Sequence, residues 1–111
     1  MKKIGIITIN YNTEDLLAKL IVCLIEQSYK EWALLIVNNS PDNTEIKRVI
    51  ESFNDSRIML GGNNKNLGYS KGNNLGFKYL MDNKVIGSDD LVLFTNEDIV
   101  IKDKEIGRAH V

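Results

Sequence analysis

Short β-branched apolar runs alternate along the chain with stretches that are apolar on one side only. Ile4 to Ile9 is such a run and reads as a buried strand. Asn12 or Thr13 then offers a side-chain oxygen to cap a helix. Leu17, Leu20, Ile21 and Leu24 follow at helical spacing, so residues 14–27 form a helix with one core-facing side. Trp32 to Val37 is the second strand. Ser40-Pro41 reads as cap and first helical position of a second helix, in which Ile46, Val49, Ile50 and Phe53 recur at i, i+3, i+4 and i+7. Ile58 to Leu60 is a third strand, stopped by Gly61-Gly62. A third helix over residues 70–82 carries Gly72, Leu75, Gly76, Tyr79 and Leu80 on its packed face. Leu91 to Thr95 is nearly continuously apolar, the pattern of a central parallel strand covered on both sides. Ile99 to Ile101 reads as one more short strand.

The order β-α-β-α-β-α-β predicts the α/β class: a Rossmann-like, mostly parallel sheet with helices on both faces. In such sheets ligands bind beyond the carboxyl ends of the strands. The stretches to inspect are therefore residues 10–12, 38–42, 61–66 and 96–98. They are rich in asparagine: Asn10, Asn12, Asn38, Asn39, Asn63, Asn64, Asn66 and Asn96, with Asn43 nearby. A single asparagine is an ordinary turn residue. Gathered on one rim above an apolar scaffold, they predict a hydrogen-bonding cleft for a small molecule.

Length and composition narrow this picture. The chain has 111 residues, enough for one domain, and 43% of them are apolar, enough for a core. A net charge of −1 without a basic run gives no reason to expect a nucleic-acid partner. Cys23 stands alone in an apolar helical stretch and reads as a small buried thiol. No stretch reaches the length of a membrane span, and the apolar run after Lys2-Lys3 stops at Asn10, short of a signal peptide. A cytoplasmic location, or one at the inner face of the membrane, is the expectation.

Two segments carry candidate chemistry. Thr95-Asn96-Glu97-Asp98 closes the fourth strand. On an extended chain Asn96 and Asp98 point the same way and present two hard oxygen ligands of the kind Mg²⁺ or Mn²⁺ takes. Asn66 to Gly76 is glycine-rich, yet it has neither the Walker ending nor the G-x-G-x-x-G spacing. Gly72 and Gly76 lie four apart on the packed helical face, where small residues permit close approach.

These segments resemble the amino-terminal half of a family-2 glycosyltransferase of GT-A type, of the rhamnosyltransferase-like kind found in bacterial polysaccharide synthesis. Four stretches carry the resemblance in order: Ile9-Asn10-Tyr11-Asn12, Ile36-Val37-Asn38-Asn39-Ser40, Asn66 to Gly76, and Asn96-Glu97-Asp98. The resemblance implies a nucleoside-diphosphate sugar, UDP- or dTDP-linked, as donor, and a saccharide or lipid-linked acceptor. Tyr11 would lie along the nucleobase, Ile9 would belong to the same nucleotide-sugar site, and Asn38 and Asn39 would face base and ribose. Asn66, Gly68, Lys71, Gly72 and Asn73 would border the ribose, diphosphate or sugar. Asn96 and Asp98 would stand for the D-x-D motif and hold Mg²⁺ or Mn²⁺, mainly through Asp98.

Two residues depart from the family pattern. Asn38 stands where a carboxylate is common, and Asn96 replaces the first Asp of D-x-D. The implied reaction is metal-assisted displacement with inversion at the anomeric carbon. Its general base is expected beyond this chain, so no catalytic residue is assigned here. Residues 1–104 are expected to be the donor-binding half of the domain. Residues 105–111, Glu105-Ile106-Gly107-Arg108-Ala109-His110-Val111, read as a foreign tail. The parent protein is expected to be the active enzyme, with a peripheral membrane association, and the fragment by itself inactive. Two other classes compete. One is a non-catalytic nucleotide-sugar-binding fragment or pseudoenzyme. The other is a receiver-type signalling domain, which needs an acidic cluster after the first strand where this chain has Asn10-Tyr11-Asn12.

Overall fold

The computed structural model describes residues 2–61 and 68–97, with the backbone alone at Tyr69 and Ser70. The elements run β1 (Ile4–Asn10), α1 (Glu14–Ile25), β2 (Trp32–Asn38), α2 (Thr44–Phe53), β3 (Ile58–Gly61), α3 (Gly68–Asp82) and β4 (Leu91–Thr95). The four strands form one parallel sheet in the order β3-β2-β1-β4. The chain moves outward from β1 through β2 to β3, then returns past β1 to place β4 on the other side. Crossovers are right-handed, so this reversal of direction puts α1 and α2 on one face of the sheet and α3 on the other.

The two faces follow from the two-residue period of the strands. Ile4, Ile6, Leu34, Ile36 and Ile58 pack with Leu17, Leu20, Ile21, Leu24 and Ile46 of α1 and α2. Ile7, Leu35 and Val37 face the other way and pack with Leu80 and Ile86. Most of these side chains are wholly buried, and each contributes about 1.5–3 kcal/mol relative to exposure. The register is in phase across the sheet: Asn10 is opposite Asn38, and Thr8 is opposite both Ile36 and Thr95. All four strands therefore run out on one rim.

Several expectations need correction. Leu91 to Thr95 is an edge strand among the described residues, not a central one. Leu91, Val92 and Leu93 are half-buried and Phe94 is 43% exposed. An apolar run reports a strand's hydrophobicity but not its place in the sheet, which the crossover sets. The second helix begins at Thr44 and not at Pro41. The Ser40 hydroxyl is used by the rim instead, accepting from the Asn12 backbone N–H at 2.8 Å. Thr13 does occupy the N-cap position of α1 but makes no capping hydrogen bond; its hydroxyl also turns to the rim. On α3 the buried positions are Gly72, Asn73, Gly76 and Leu80, whereas Leu75 and Tyr79 are largely exposed. Cys23 is half-buried against the α1 side of the core. The strand expected over residues 99–101 lies outside the described residues.

Candidate functional site

The rim is built around the last residues of β1 and β2. Asn10, Asn38, Asn39 and Ser40 are almost wholly buried, so their polar atoms need partners within the protein. The Asn38 side-chain oxygen accepts from Asn10 Nδ2 at 3.2 Å and from the Ser40 backbone N–H at 3.1 Å. The Asn39 backbone N–H donates to the Asn10 carbonyl at 2.8 Å. Asn12 takes a left-handed conformation, φ 58°, which asparagine tolerates. That turn leaves Tyr11 on the surface, 49% exposed, with its ring free for stacking. Asn38 also donates to the Asp42 carbonyl at 3.5 Å. Its amide is engaged on both ends within the loop, in a way a carboxylate, lacking a donor, could not reproduce.

On the other side of the rim α3 comes very close. A Cβ on Gly72 would lie 2.7 Å from Ile9 Cδ1 and 3.5 Å from Asn39 Nδ2. Gly72 thus brings the end of β1, the loop after β2 and the start of α3 into direct contact. Asn73, next to it, is 8% exposed. The side-chain oxygens of Asn39 and Asn73 are both buried and without a hydrogen-bond partner. An unsatisfied buried acceptor costs about 1–3 kcal/mol. Two of them lie close to Gly72, where the rim and α3 meet, and each is an acceptor left unused while it stays buried. Lys71, immediately before Gly72, is exposed. Gly68 opens the helix at φ 79°, a conformation that favours glycine. Asn66 lies outside the described residues.

The end of β4 completes the rim. Thr8 donates its hydroxyl to the Thr95 carbonyl at 3.0 Å, fixing the two strand ends together. Asn96 is exposed, while Glu97 is only 6% exposed. The turn after β4 leaves Asn96 outward and Glu97 inward. Burial pushes the Glu97 carboxyl up to about 7; the hydrogen bond from Thr13 opposes this, and the nearby Glu14 and Asp15 add to it. The Thr13 hydroxyl sits between Glu97 Oε1 and Asn10 Oδ1, the latter at 3.3 Å. Asp98 lies outside the described residues. Among the described residues no three acidic, histidine or cysteine side chains converge. A divalent cation would therefore draw on the hard oxygen of Asn96, on Asp98 and on the phosphates of a bound donor, a set that suits Mg²⁺ or Mn²⁺.

An apolar cavity of about 370 Å³ lies beside this rim, between α3 and the sheet, lined by Leu35, Val37, Gly61, Leu75, Gly76 and Tyr79 among others. It holds none of the expected ligand-binding residues. The polar groups a phosphate, ribose or base requires are on the rim, and the rim is the better candidate.

The structure thus brings Ile9, Asn39 and Gly72 into one contact region, with Asn73 buried next to Gly72 on α3 and Asn38 buried at the end of β2. Tyr11, Gly68, Lys71 and Asn96 are exposed at the same carboxyl ends and loop-to-helix turns. From the sequence Thr13 is a helix-cap candidate and Glu97 has no role; their contact joins residues 84 apart in the chain, which no local pattern signals.

Residues 5–109 match the family described as glycosyl transferase family 2. The chain belongs to that family. It is 35% identical over 91 residues to the Escherichia coli UDP-Glc:alpha-D-GlcNAc-diphosphoundecaprenol beta-1,3-glucosyltransferase WfgD, covering 79% of this chain and 35% of the relative. The chain therefore spans about a third of the length of that curated family member. Among solved structures, S. aureus TarS 1-349 in complex with UDP-GlcNAc superposes with a TM-score of 0.76 at 22% identity, covering 97% of this chain and 30% of that one. Mannosyltransferase PcManGT from Pyrobaculum calidifontis, in complex with GDP-Man and Mn²⁺, gives 0.69 at 20% identity, covering 86% of this chain and 27% of that one. At such identities the structural likeness speaks for the fold: a GT-A sheet with its helices.

Proposed function

We propose that this family-2 chain is the donor-binding part of an enzyme that transfers a sugar from a UDP- or dTDP-sugar to a saccharide or lipid-linked acceptor with inversion. The observation that carries the reading is the close approach of α3 at Gly72 to Ile9 and Asn39, the ends of β1 and β2, with exposed Tyr11 and Lys71 on the adjoining turn and helix. The amides of Asn39 and Asn73, whose oxygens are unused inside the protein, would turn to the ribose or sugar as the donor enters, and exposed Tyr11 would stack on the base. Lys71 and the amino-terminal end of α3 favour an anionic group. A divalent cation held by Asn96, Asp98 and the diphosphate would offset charge on the leaving nucleoside diphosphate. No residue of this chain is assigned as general base. UDP-sugars are the first donors to try, since the E. coli relative is named for UDP-Glc. That relative's name also specifies a diphosphoundecaprenol acceptor, which favours a setting at the inner face of the membrane, with the parent peripherally attached. Among the described residues no helix is long and apolar enough to cross a membrane.

Calorimetric titration of the folded chain with UDP-glucose, UDP-GlcNAc and a dTDP-sugar, with and without Mn²⁺, tests this reading. Saturable binding that Mn²⁺ strengthens is expected. A folded chain that takes up none of the three would overturn it. Binding without sugar transfer is the expected behaviour of the fragment; the same behaviour in the parent protein would favour a non-catalytic binding role.

A further inference from the structure

Side chains tie the end of β1 to the end of β2, and the turn after β4 to the loop after β1. Asn10 Nδ2 at the end of β1 donates to Asn38 Oδ1 at the end of β2. Asn10 Oδ1 lies 3.3 Å from the Thr13 hydroxyl, and that hydroxyl is bonded to Glu97 Oε1 just past β4. Thr13 and Asn10 also belong to the turn that carries Tyr11. Glu97 is 6% exposed, and Asn96 and Glu97 have left the strand ladder, which ends at Thr8 opposite Thr95. Beyond that point, the Glu97 to Thr13 contact is the side-chain tie that holds this segment to the rest of the rim among the described residues.

We propose that Glu97 is a positioning residue: through Thr13 it holds the turn that carries Asn96 against the loop after β1, so that cation and nucleotide are held in one geometry. This rests on the donor-site reading above. The tie needs reach and an acceptor, not charge. Glu97 Oε2 is buried without a partner, so Oε1 alone makes the tie and its loss would free the turn.

The design of the test follows from that requirement. Glu97→Gln keeps the length and a carbonyl acceptor but loses the charge. Glu97→Asp keeps the charge but is one methylene too short to meet Thr13. The quantity measured is the ratio of UDP affinities with and without Mn²⁺, read by calorimetry on the full chain. The expected result is that Gln retains the wild-type ratio, whereas Asp lowers it about five- to tenfold, the worth of one buried hydrogen bond. Amide hydrogen exchange at residues 95–97 of the ligand-free chain should follow the same order, faster in Asp and unchanged in Gln. If Glu97→Asp does not fold, Thr13→Val takes its place, with Thr13→Ser expected to restore the ratio. A ratio that survives in Glu97→Asp or Thr13→Val, or is lost in Glu97→Gln, overturns the inference and leaves the donor-site reading standing. A wild-type chain that binds no UDP-sugar fails at the earlier step and is recognised by that result alone.

Discussion

At Asn39, stability and binding should pull in opposite directions. Its side-chain oxygen is buried without a partner, which an apolar residue of the same size would relieve. Asn39→Leu is expected to leave folding stability unchanged or raise it by about 1 kcal/mol in urea denaturation, while weakening UDP-sugar binding by about tenfold. A variant that lost stability and kept its affinity would show the amide to be structural. The glycines of α3 divide in a similar way. A methyl on Gly76 would meet Ile7 Cγ2 at 2.8 Å and Val37 Cγ2 at 3.1 Å. Both atoms sit on β-branched carbons that have little rotamer freedom. A methyl on Gly72 would meet the far end of Ile9, which can swing away. Gly76→Ala should therefore cost about 1–3 kcal/mol beyond the helix-propensity gain, whereas Gly72→Ala should stay within about 1 kcal/mol of wild type. Much of this was legible in the sequence: the buried glycine pair on one helix face, and Asn39 at the end of an apolar strand. The unpartnered oxygens were not, because whether a buried amide is satisfied depends on neighbours far away along the chain. Asn38 and Ser40 show the same limit, since each is drawn into a network with the loop after β1.

Among the elements, the sequence located every described strand and helix, and missed mostly at their ends. A serine before a proline resembles a helix cap, yet Ser40 is held by Asn12, and the helix waits for Thr44, whose N–H and hydroxyl both donate to Asp42. The start of β4 is secured by a device that the apolar pattern does not contain. The Asp90 carboxylate accepts from the Lys3 backbone N–H at 3.0 Å and from the Gly87 backbone N–H at 2.9 Å. It thereby joins the entry to β1 and the entry to β4. The bond from Gly87, then that from Lys3, holds this carboxyl below its usual value of 3.8. A carboxyl lowered on folding adds stability above its unfolded value and loses it as the pH falls through the folded one. The melting temperature should thus fall more steeply in wild type than in Asp90→Asn as the pH drops from about 5 to about 2.5. The amide substitution should also lower the melting temperature at neutral pH, since an amide oxygen is a weaker acceptor than a carboxylate. Parallel pH profiles for the two proteins would remove Asp90 from the acid response.

The whole molecule carries one consequence of its order of strands. Because β1 and β2 take the centre of the sheet, β4 is left with an outer edge against which no strand pairs among the described residues. Phe94 lies on that strand, 43% exposed, and Phe77 and Met81 of α3 are exposed at 43% and 36%. An apolar strand with unpaired N–H and C=O groups is a template for pairing with another chain. The 111-residue chain is therefore expected to self-associate as its concentration rises, through the β4 edge. Phe94→Lys should suppress this with little loss of stability, since the side chain is already half in water and a lysine can extend fully into it. Sedimentation velocity across a concentration series decides the matter. The wild-type average mass should climb while that of Phe94→Lys stays at the monomer, with matching circular dichroism spectra. Equal self-association in the two proteins would place the sticky surface elsewhere, with exposed Leu75 and Tyr79 at the mouth of the apolar cavity the next to test. The sequence showed the apolar run that creates this edge but not its position, which only the return crossover from β3 to β4 determines.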